Sequence, residues 1–444
     1  MNMKRIIALI LCLCMALTLV ACGGGSAPAE KPAENKPAEN KPAASGDAKL
    51  SGDLEVGILL AEGTTGYMLL EENVKNYLEE ANPDLEITFT FANTKARSFM
   101  EQKWRSETEA PDTDFMVYNA RVASTYEFTD KLLDLAPYLE QEGWSKYKDS
   151  AYSVMQMEDG GIYGLVTDTH VQGLYYNKAY FDQYNITPPT TWTEFLAACE
   201  TLKSNGIDPI AVTGTYNPYM GAWLDYLMIR EVGYEVAHEG VHNGTLSSIP
   251  GIEKAVNNCL TLIQNGYLLK GFEGTDFTAA QMQFFQGKAG MILMGTWLTS
   301  EMADSIPADF QLGIVPFPTV EGGFADQTEV TSHANIISVN KNSDNLDAAI
   351  EVVKRFTSVE VQTKRAEETG LISAVEGVPA PTNVIGLDDM MNNIGDMYVR
   401  HFALEFETDK NTAYYNEVAK LFMGEYKTAQ EFLTNVDAVM GALK

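Results

Sequence analysis

Beyond residue 21 the chain lacks any apolar run long enough to cross a bilayer, which excludes a body built of membrane-spanning helices. It has no G-x-S-x-G elbow, no Walker phosphate loop and no Rossmann glycine fingerprint, so it lacks the local signals of a serine hydrolase, a P-loop NTPase or a dinucleotide enzyme. Basic residues are scarce: 31 Lys and Arg stand against 61 Asp and Glu, for a formal net charge of −30. Such a field repels nucleic acid and anionic lipid, so neither is expected as a partner of the folded body. Cysteine is equally sparse. Cys12 and Cys14 lie in the leader and Cys22 at its end, leaving Cys199 and Cys259, each within a helical pattern. Two lone cysteines in helices read as buried apolar residues rather than a disulfide or a metal site.

What is present begins with a leader. Lys4 and Arg5 precede an apolar stretch over 6–20, the pattern of a secretory signal at residues 1–21. Its end, Leu19-Val20-Ala21-Cys22, resembles a bacterial lipobox. The alternative is a plain cleavage site that happens to precede a cysteine. A lipidated Cys22 would carry at least two acyl chains, enough for stable anchoring. Residues 22–50 form the tether, rich in Gly, Ser, Ala and Pro, with K-P-A-E-N at 31–35 and again at 36–40. That composition buries no core, and a flexible chain of this length reaches about 30 Å.

The remainder is too long for one ordinary core, which predicts two lobes. Strand-helix-strand patterning opens it, with strands over 53–60 and 85–91 around a helix over 68–81, then a helix over 96–108 and a strand entering at 111–118. Two short strands are expected at 161–165 and 174–178. Thr191 is an N-cap with Glu194 three residues on, the spacing of a capping box, and Trp192 reads as a structural staple. The organising stretch is 284–297, F-F-Q-G-K-A-G-M-I-L-M-G-T-W. There a helix stops at Gly287, a short apolar strand follows, and Gly295-Thr296 turns into a helix opened by Trp297. Such a unit brings the strand's carboxyl end and the Trp to one rim, where open α/β sheets bind ligands. His238-Glu239-Gly240-Val241-His242 spells H-E-x-x-H, but the glycines at 233, 240 and 244 predict turns rather than the regular helix that zinc chemistry needs. Neither a metal nor a cofactor is expected.

The run F-x-x-G-K-A-x-M-x-x-x-G-x-W resembles the signature of the extracellular solute-binding proteins of ABC importers. Further segments agree in order: N-P-D-L-E-I at 82–87, L-x-D-L-x-P-Y-L at 132–139, Y-Y-N-K-x-x-F at 175–181, P-P-T-T-W at 188–192 and T-S-x-E-x-Q at 357–362. The resemblance implies an α/β, two-lobed periplasmic-binding-protein-like fold of type II, with the lobes joined by a multi-segment hinge. Expected borders put 51–137 and 317–370 in the N-terminal lobe, and 138–316 and 371–444 in the C-terminal lobe. It also implies a monomer without catalytic residues, lipid-anchored outside the bacterial cytoplasmic membrane, which delivers a carbohydrate to ABC permease subunits. A different polar solute, a surface glycosidase or a sensor co-receptor are the alternatives.

A sugar site needs aromatic faces for ring C–H groups and polar side chains for hydroxyls. By the resemblance, Trp297 falls on a position that often stacks on sugar, and Asn217-Pro218-Tyr219 matches a segment whose Tyr stacks on ligand, with Asn217 standing where the maltose-binding member has Glu. Tyr118 falls where that member has a stacking Trp, and Arg121 near its hydroxyl-binding carboxylate. Trp223 lies one helical turn beyond Tyr219. Glu62 and Thr64 on the first strand's exit, Asp168, Asp225, Thr296 in the turn and His333 complete the candidates. For each the competing reading is core packing or a solvated surface.

Overall fold

The computed structural model describes residues 49–58, 62–91, 115–119, 130–148, 151–152, 155–157, 159–393, 398–400, 402, 406 and 408–443. All lie in one compact unit, Ala43–Lys444. The expected leader, Cys22, most of the tether, the helix at 96–108 and Arg121 lie outside the described residues.

Among the described residues ten strands form the sheet: β1 (Ser51–Ile58), β2 (Asp84–Phe91), β3 (Phe115–Asn119), β4 (Leu165–Asn177), β5 (Asp208–Ala211), β6 (Ala289–Gly295), β7 (Leu312–Val315), β8 (Val330–Val339), β9 (Ile372–Ser373) and β10 (Tyr398–Arg400). Their order is β2-β1-β3-β8-β4-β6-β5, with β7 and β9 also on β4 and β10 on β8. β1 runs parallel to β2 and β3, and β5 parallel to β6. Between these two parallel units, β8 and β4 are antiparallel to each other and to their outer neighbours β3 and β6.

β4 is the long member, thirteen residues or about 43 Å at the usual rise. Its first half pairs with β8 through Val171, and its second half pairs with β6 from Gln172. Two short strands were expected here, because Thr167, Asp168, His170 and Gln172 interrupt the apolar pattern. In the fold all four are buried, and neighbouring strands and helices satisfy them. Thr331 Oγ1 donates to Gln172 Oε1 at 2.7 Å, and Tyr226 donates to the Gln172 carbonyl at 2.8 Å. Burial of polar groups is tolerated where they are hydrogen-bonded, and hydropathy along the chain does not register that compensation.

Two hydrophobic cores flank the crossing. The first gathers Leu54, Val56, Ile58 and Ile87 with Leu165, Val166, Ile336 and Val353. The second gathers Val171, Leu174, Ile292, Phe317 and Val330 with the helices that follow. Tyr138, Tyr147 and Ile162 pack in the first core, past the border expected at 137/138. Phe317 and Val320 pack in the second, past the one expected at 316/317. The chain changes core inside β4 and β8, between Val166 and Val171 and between Val330 and Ala334. Ile372 packs in the second core and Ala374 in the first, so residues after 371 are shared rather than confined to one lobe.

The helices that matter for the site are α1 (Thr65–Leu70), α2 (Trp192–Ser204), α3 (Asn217–Val232), α4 (Tyr234–Asn243), α5 (Ile252–Gln264), α6 (Phe277–Phe285), α7 (Trp297–Glu301), α8 (Leu346–Phe356), α9 (Val359–Thr369), α10 (Thr408–Phe422) and α11 (Ala429–Ala442). The Thr191/Glu194 capping box forms at α2, worth about 1 kcal/mol. Trp192 is buried beside Phe195 and Phe317, a staple as expected. α3 is buried from Met220 through Arg230, a helix apolar on nearly every side because other helices cover it. Among the described residues no helix is long and apolar enough to cross a membrane.

Candidate functional site

The site is built where β6 ends. Gly287, at φ +75, closes α6 in a backbone conformation that favours glycine, and β6 follows with every residue buried. At Gly295 a Cβ would lie 1.7 Å from the Trp297 ring, so only glycine lets that ring fold back over the strand end. Thr296 ties the turn to the crossing strand, its N–H donating to the Val171 carbonyl at 3.0 Å.

Trp297 is 7 % exposed. One neighbour is His170, edge-on at 5.5 Å; another is Tyr219, edge-on at 6.1 Å. Tyr219 packs on Phe277 at 4.4 Å, and Tyr216 lies 5.3 Å from Tyr219. The rings of Trp297, Tyr219, Phe277 and Tyr216 form a continuous row from the buried crossing to Tyr216, which is 48 % exposed. Apolar faces of this kind suit the C–H faces of a ring-shaped solute.

Polar groups converge on the same row. Glu301, one turn beyond Trp297 on α7, is exposed on one side and crowded by protein on the others. That crowding pushes its pKa above the ordinary value, while a hydrogen bond from Gln281 and the charge of His170 pull it back. Behind Trp297 lies a buried network. Asp168 accepts from His170 Nε2 at 2.7 Å, from Arg365 Nη2 at 3.1 Å, from Asn335 Nδ2 at 2.6 Å and from Thr167 Oγ1 at 2.8 Å. Burial by itself raises an aspartate's pKa. Here the hydrogen bond and charge of His170, with the charge of Arg365, outweigh it and hold the carboxyl well below the usual range.

The two cores meet again beside this wall. Thr65 Oγ1 on α1 donates to Asp304 Oδ1, just past α7, at 3.1 Å. Thr299 on α7 lies 3.5 Å from the Gly370 carbonyl at the end of α9. Glu62 is exposed on the turn before α1, and Thr64 caps that helix by accepting from the Tyr67 N–H. The short helix opened by Trp297, and the turn after it, thus touch α1 and the end of α9.

Residues 61–363 match the profile of the bacterial extracellular solute-binding proteins. The chain belongs to this family. Its relatives include the multiple sugar-binding protein of Streptococcus mutans, 25 % identical over 227 residues, which are 50 % of this chain and 53 % of that protein. A probable sugar-binding periplasmic protein of Rhizobium meliloti is 25 % identical over 68 % of this chain and 74 % of its own length. The chain therefore spans about half of the first relative and about three quarters of the second. Among solved structures, a chitin oligosaccharide binding protein superposes with a TM-score of 0.75 at 21 % identity, covering 88 % of this chain and 98 % of that one. That likeness carries the fold, the two-lobed α/β architecture of type II periplasmic binding proteins.

Within this solute-binding protein the expected site residues divide. Trp297, Thr296 and Asp168 come together around His170, and Tyr219 joins them through the Trp297 ring. Asn217 lies near the ring row, its Nδ2 donating to Asn416 at 2.8 Å. Trp223 does not join them. It is 1 % exposed, packed between Phe195 and Phe317 in the second core, because α3 is covered all round and one turn beyond Tyr219 already points inward. Asp225 is neither a surface group nor part of the row. It accepts from Tyr414 at 2.6 Å and Tyr415 at 2.8 Å of α10, and burial pushes its pKa up to about 7. His333 stands beside His170 in register on β8, and Tyr118 beside Ile336 on β3; neither side chain is among those described. Tyr216, Phe277, His170 and Glu301 were missed. Tyr216 and Phe277 flank segments already singled out, while His170 and Glu301 carry no local signal.

The H-E-x-x-H segment is helical, contrary to expectation. α4 runs through it and ends at Gly244 in the left-handed region, and Gly240 makes room for Ile249 and Leu246, so its glycines serve packing and capping rather than turns. His238 and His242 do share a face, with rings 6.5 Å apart. Yet His238 is stacked on Phe406 at 4.7 Å, and the Lys410 ammonium lies 3.2 Å from His242 Nε2, where a metal would have to bind. Among the described residues no group of three His, Cys, Asp or Glu is placed to hold a metal. Cys199 and Cys259 are free and buried.

Proposed function

We propose that the chain is the substrate-binding component of an ABC importer, capturing a carbohydrate between its lobes and handing it intact to membrane permease subunits. The observation that carries this is the row Trp297, Tyr219, Phe277 and Tyr216 with the accessible Glu301 carboxylate at its edge. The sugar-binding names of its relatives support the same reading. Ligand bridging the ring wall and the β1 exit would favour the closed arrangement through contacts to both lobes. The lobes would turn on the crossings within β4 and β8. The protein performs no bond cleavage, acts as a monomer, and is held outside the cytoplasmic membrane by lipid on Cys22.

A thermal-shift panel of galactose, maltose, raffinose, xylotriose and diacetylchitobiose, on protein unfolded and refolded to remove carried solute, tests the sugar. At a hundred times its Kd a bound sugar adds about 2.7 kcal/mol of stability, and it should be recovered chemically unchanged. A shift with amino acids or peptides alone would replace the carbohydrate, and release of a shortened sugar would replace the binding role. Incorporation of labelled fatty acid into the wild type and not into Cys22→Ala tests the anchor.

A further inference from the structure

We propose that Glu301 is the specificity-determining carboxylate of the cleft, reading a hydroxyl at the edge of the sugar ring that lies on the aromatic row, and that the buried amide of Gln281 is its positioning residue. The inference rests on the carbohydrate reading above and deepens it.

Glu301 ends α7, one turn after Trp297, and α7 leads directly to Asp304, which touches Thr65 of the opposite core. The carboxylate therefore stands three residues before a side chain that bridges to the other core. Its charge acts on the Tyr219 hydroxyl, and the charge of His170 acts on it, so it shares surroundings with both rings flanking Trp297. Gln281, fully buried on α6, donates Nε2 to Glu301 Oε2 at 3.0 Å. No other group among the described residues donates to that carboxylate. The Gln281 Oε1 is buried without a partner, so the hydrogen bond to Glu301 is the single one this side chain makes among the described residues. A buried amide that leaves its carbonyl unsatisfied is costly to keep, and here its one bond fixes an accessible carboxylate in a chosen rotamer. A carboxylate with one oxygen anchored holds the other in a fixed place, so it accepts best from a hydroxyl that reaches that place. A sugar whose hydroxyl points elsewhere leaves that oxygen stripped of water and unpaired, which is how buried polar groups discriminate. A neutral, hydroxyl-rich ring fits better than an anionic one, which the same carboxylate would repel.

The test is calorimetric titration of the full chain with each sugar of the panel, for wild type, Glu301→Gln, Glu301→Ala and Gln281→Leu. Glu301→Gln keeps an oxygen to accept from Gln281 and should melt like wild type without sugar, whereas Glu301→Ala leaves the buried Gln281 Nε2 unpaired and should melt lower. For the sugar that binds wild type best, Glu301→Gln and Glu301→Ala are expected to weaken binding at least tenfold, and Gln281→Leu about threefold to tenfold. The affinity ratio between the best and second-best sugars should collapse toward one in the Glu301 variants. A folding defect would lower both affinities alike and preserve that ratio. Binding within twofold of wild type with the ratio intact would overturn the role of Glu301 and leave the carbohydrate reading standing. Failure of every sugar to bind wild type would overturn the carbohydrate reading and this inference with it.

Discussion

Two regions of this molecule each bury an aspartate completely, and they treat it in opposite ways. At the crossing strand Asp168 is surrounded by His170, Arg365, Asn335 and Thr167, and its carboxyl is held well below the ordinary range. Behind the ring row, where α3 packs on α10, Asp225 accepts hydrogen bonds, among the described residues, from the hydroxyls of Tyr414 and Tyr415, and burial raises its pKa to about 7. Burial is the same; the partners differ. Two neutral donors soften the desolvation of a carboxylate but do not cancel it, whereas a guanidinium and an imidazole do. At the crossing the buried carboxylate is thus met by cationic groups, and at the α3–α10 contact by neutral hydroxyls.

The contrast would be lost most visibly if the crossing lost its acid. Asp168→Ala leaves Arg365 and His170 facing a void, and should cost about 3–5 kcal/mol in urea unfolding at neutral pH. Trp223→Ala in the helical layer should cost about as much, through a cavity. The two are separated by pH. The folded pKa of Asp168 lies below its unfolded value of 3.8, so its contribution is present above pH 4 and fades as pH falls through the lower folded value. The Asp168→Ala deficit should therefore shrink in acid, and the Trp223→Ala deficit should not.

Asp225 runs the other way. Below pH 3.8 both states are protonated; between 3.8 and about 7 the unfolded chain ionises while the folded one keeps its proton. Stability therefore falls as pH rises across that window and levels above it. Asp225→Asn should remove this slope, so that unfolding curves of wild type and variant diverge between pH 4 and 8 by no more than about 4 kcal/mol. Parallel curves would mean that a cation reaches Asp225 as one reaches Asp168.

The ring row joins the two regions, and its substitutions should act on binding more than on folding. Tyr219→Ala removes a half-buried ring and should lower stability by about 1–2 kcal/mol, while weakening the best panel sugar ten- to a hundredfold by calorimetry. The smallest effect is expected at Thr65. Replacing it with Val removes the hydrogen bond to Asp304 and should weaken sugar binding about twofold to tenfold, with no change in the melting of the sugar-free protein.

Much of this could be read along the chain. The stop at Gly287, the apolar β6 run, the Gly-Thr turn and the capping box of Thr191 and Glu194 are local features with local causes, and each took the predicted form. The single crossing strand could not be read so, because Asp168 and His170 look like loop residues until Arg365 and Asn335, far along the chain, come beside them. Trp223 and Tyr219 share a helix and a spacing, yet one lies in the core and the other on the row; the layer packed over α3 makes the difference. Likewise the glycines around His238 resemble turn residues until Leu246 and Ile249 occupy the space that Gly240 leaves.

The secondary elements with strong periodicity, the family signature around Trp297 and the acidic balance follow from the order of residues alone, since they depend on neighbours in the chain. Packing chose which aromatics are sealed in the core and which join the ring row, which acids meet a cation, where the chain passes from one core to the other, and that Gln281 holds Glu301. Those properties depend on burial and on partners distant in sequence, and neither exists before the chain has folded.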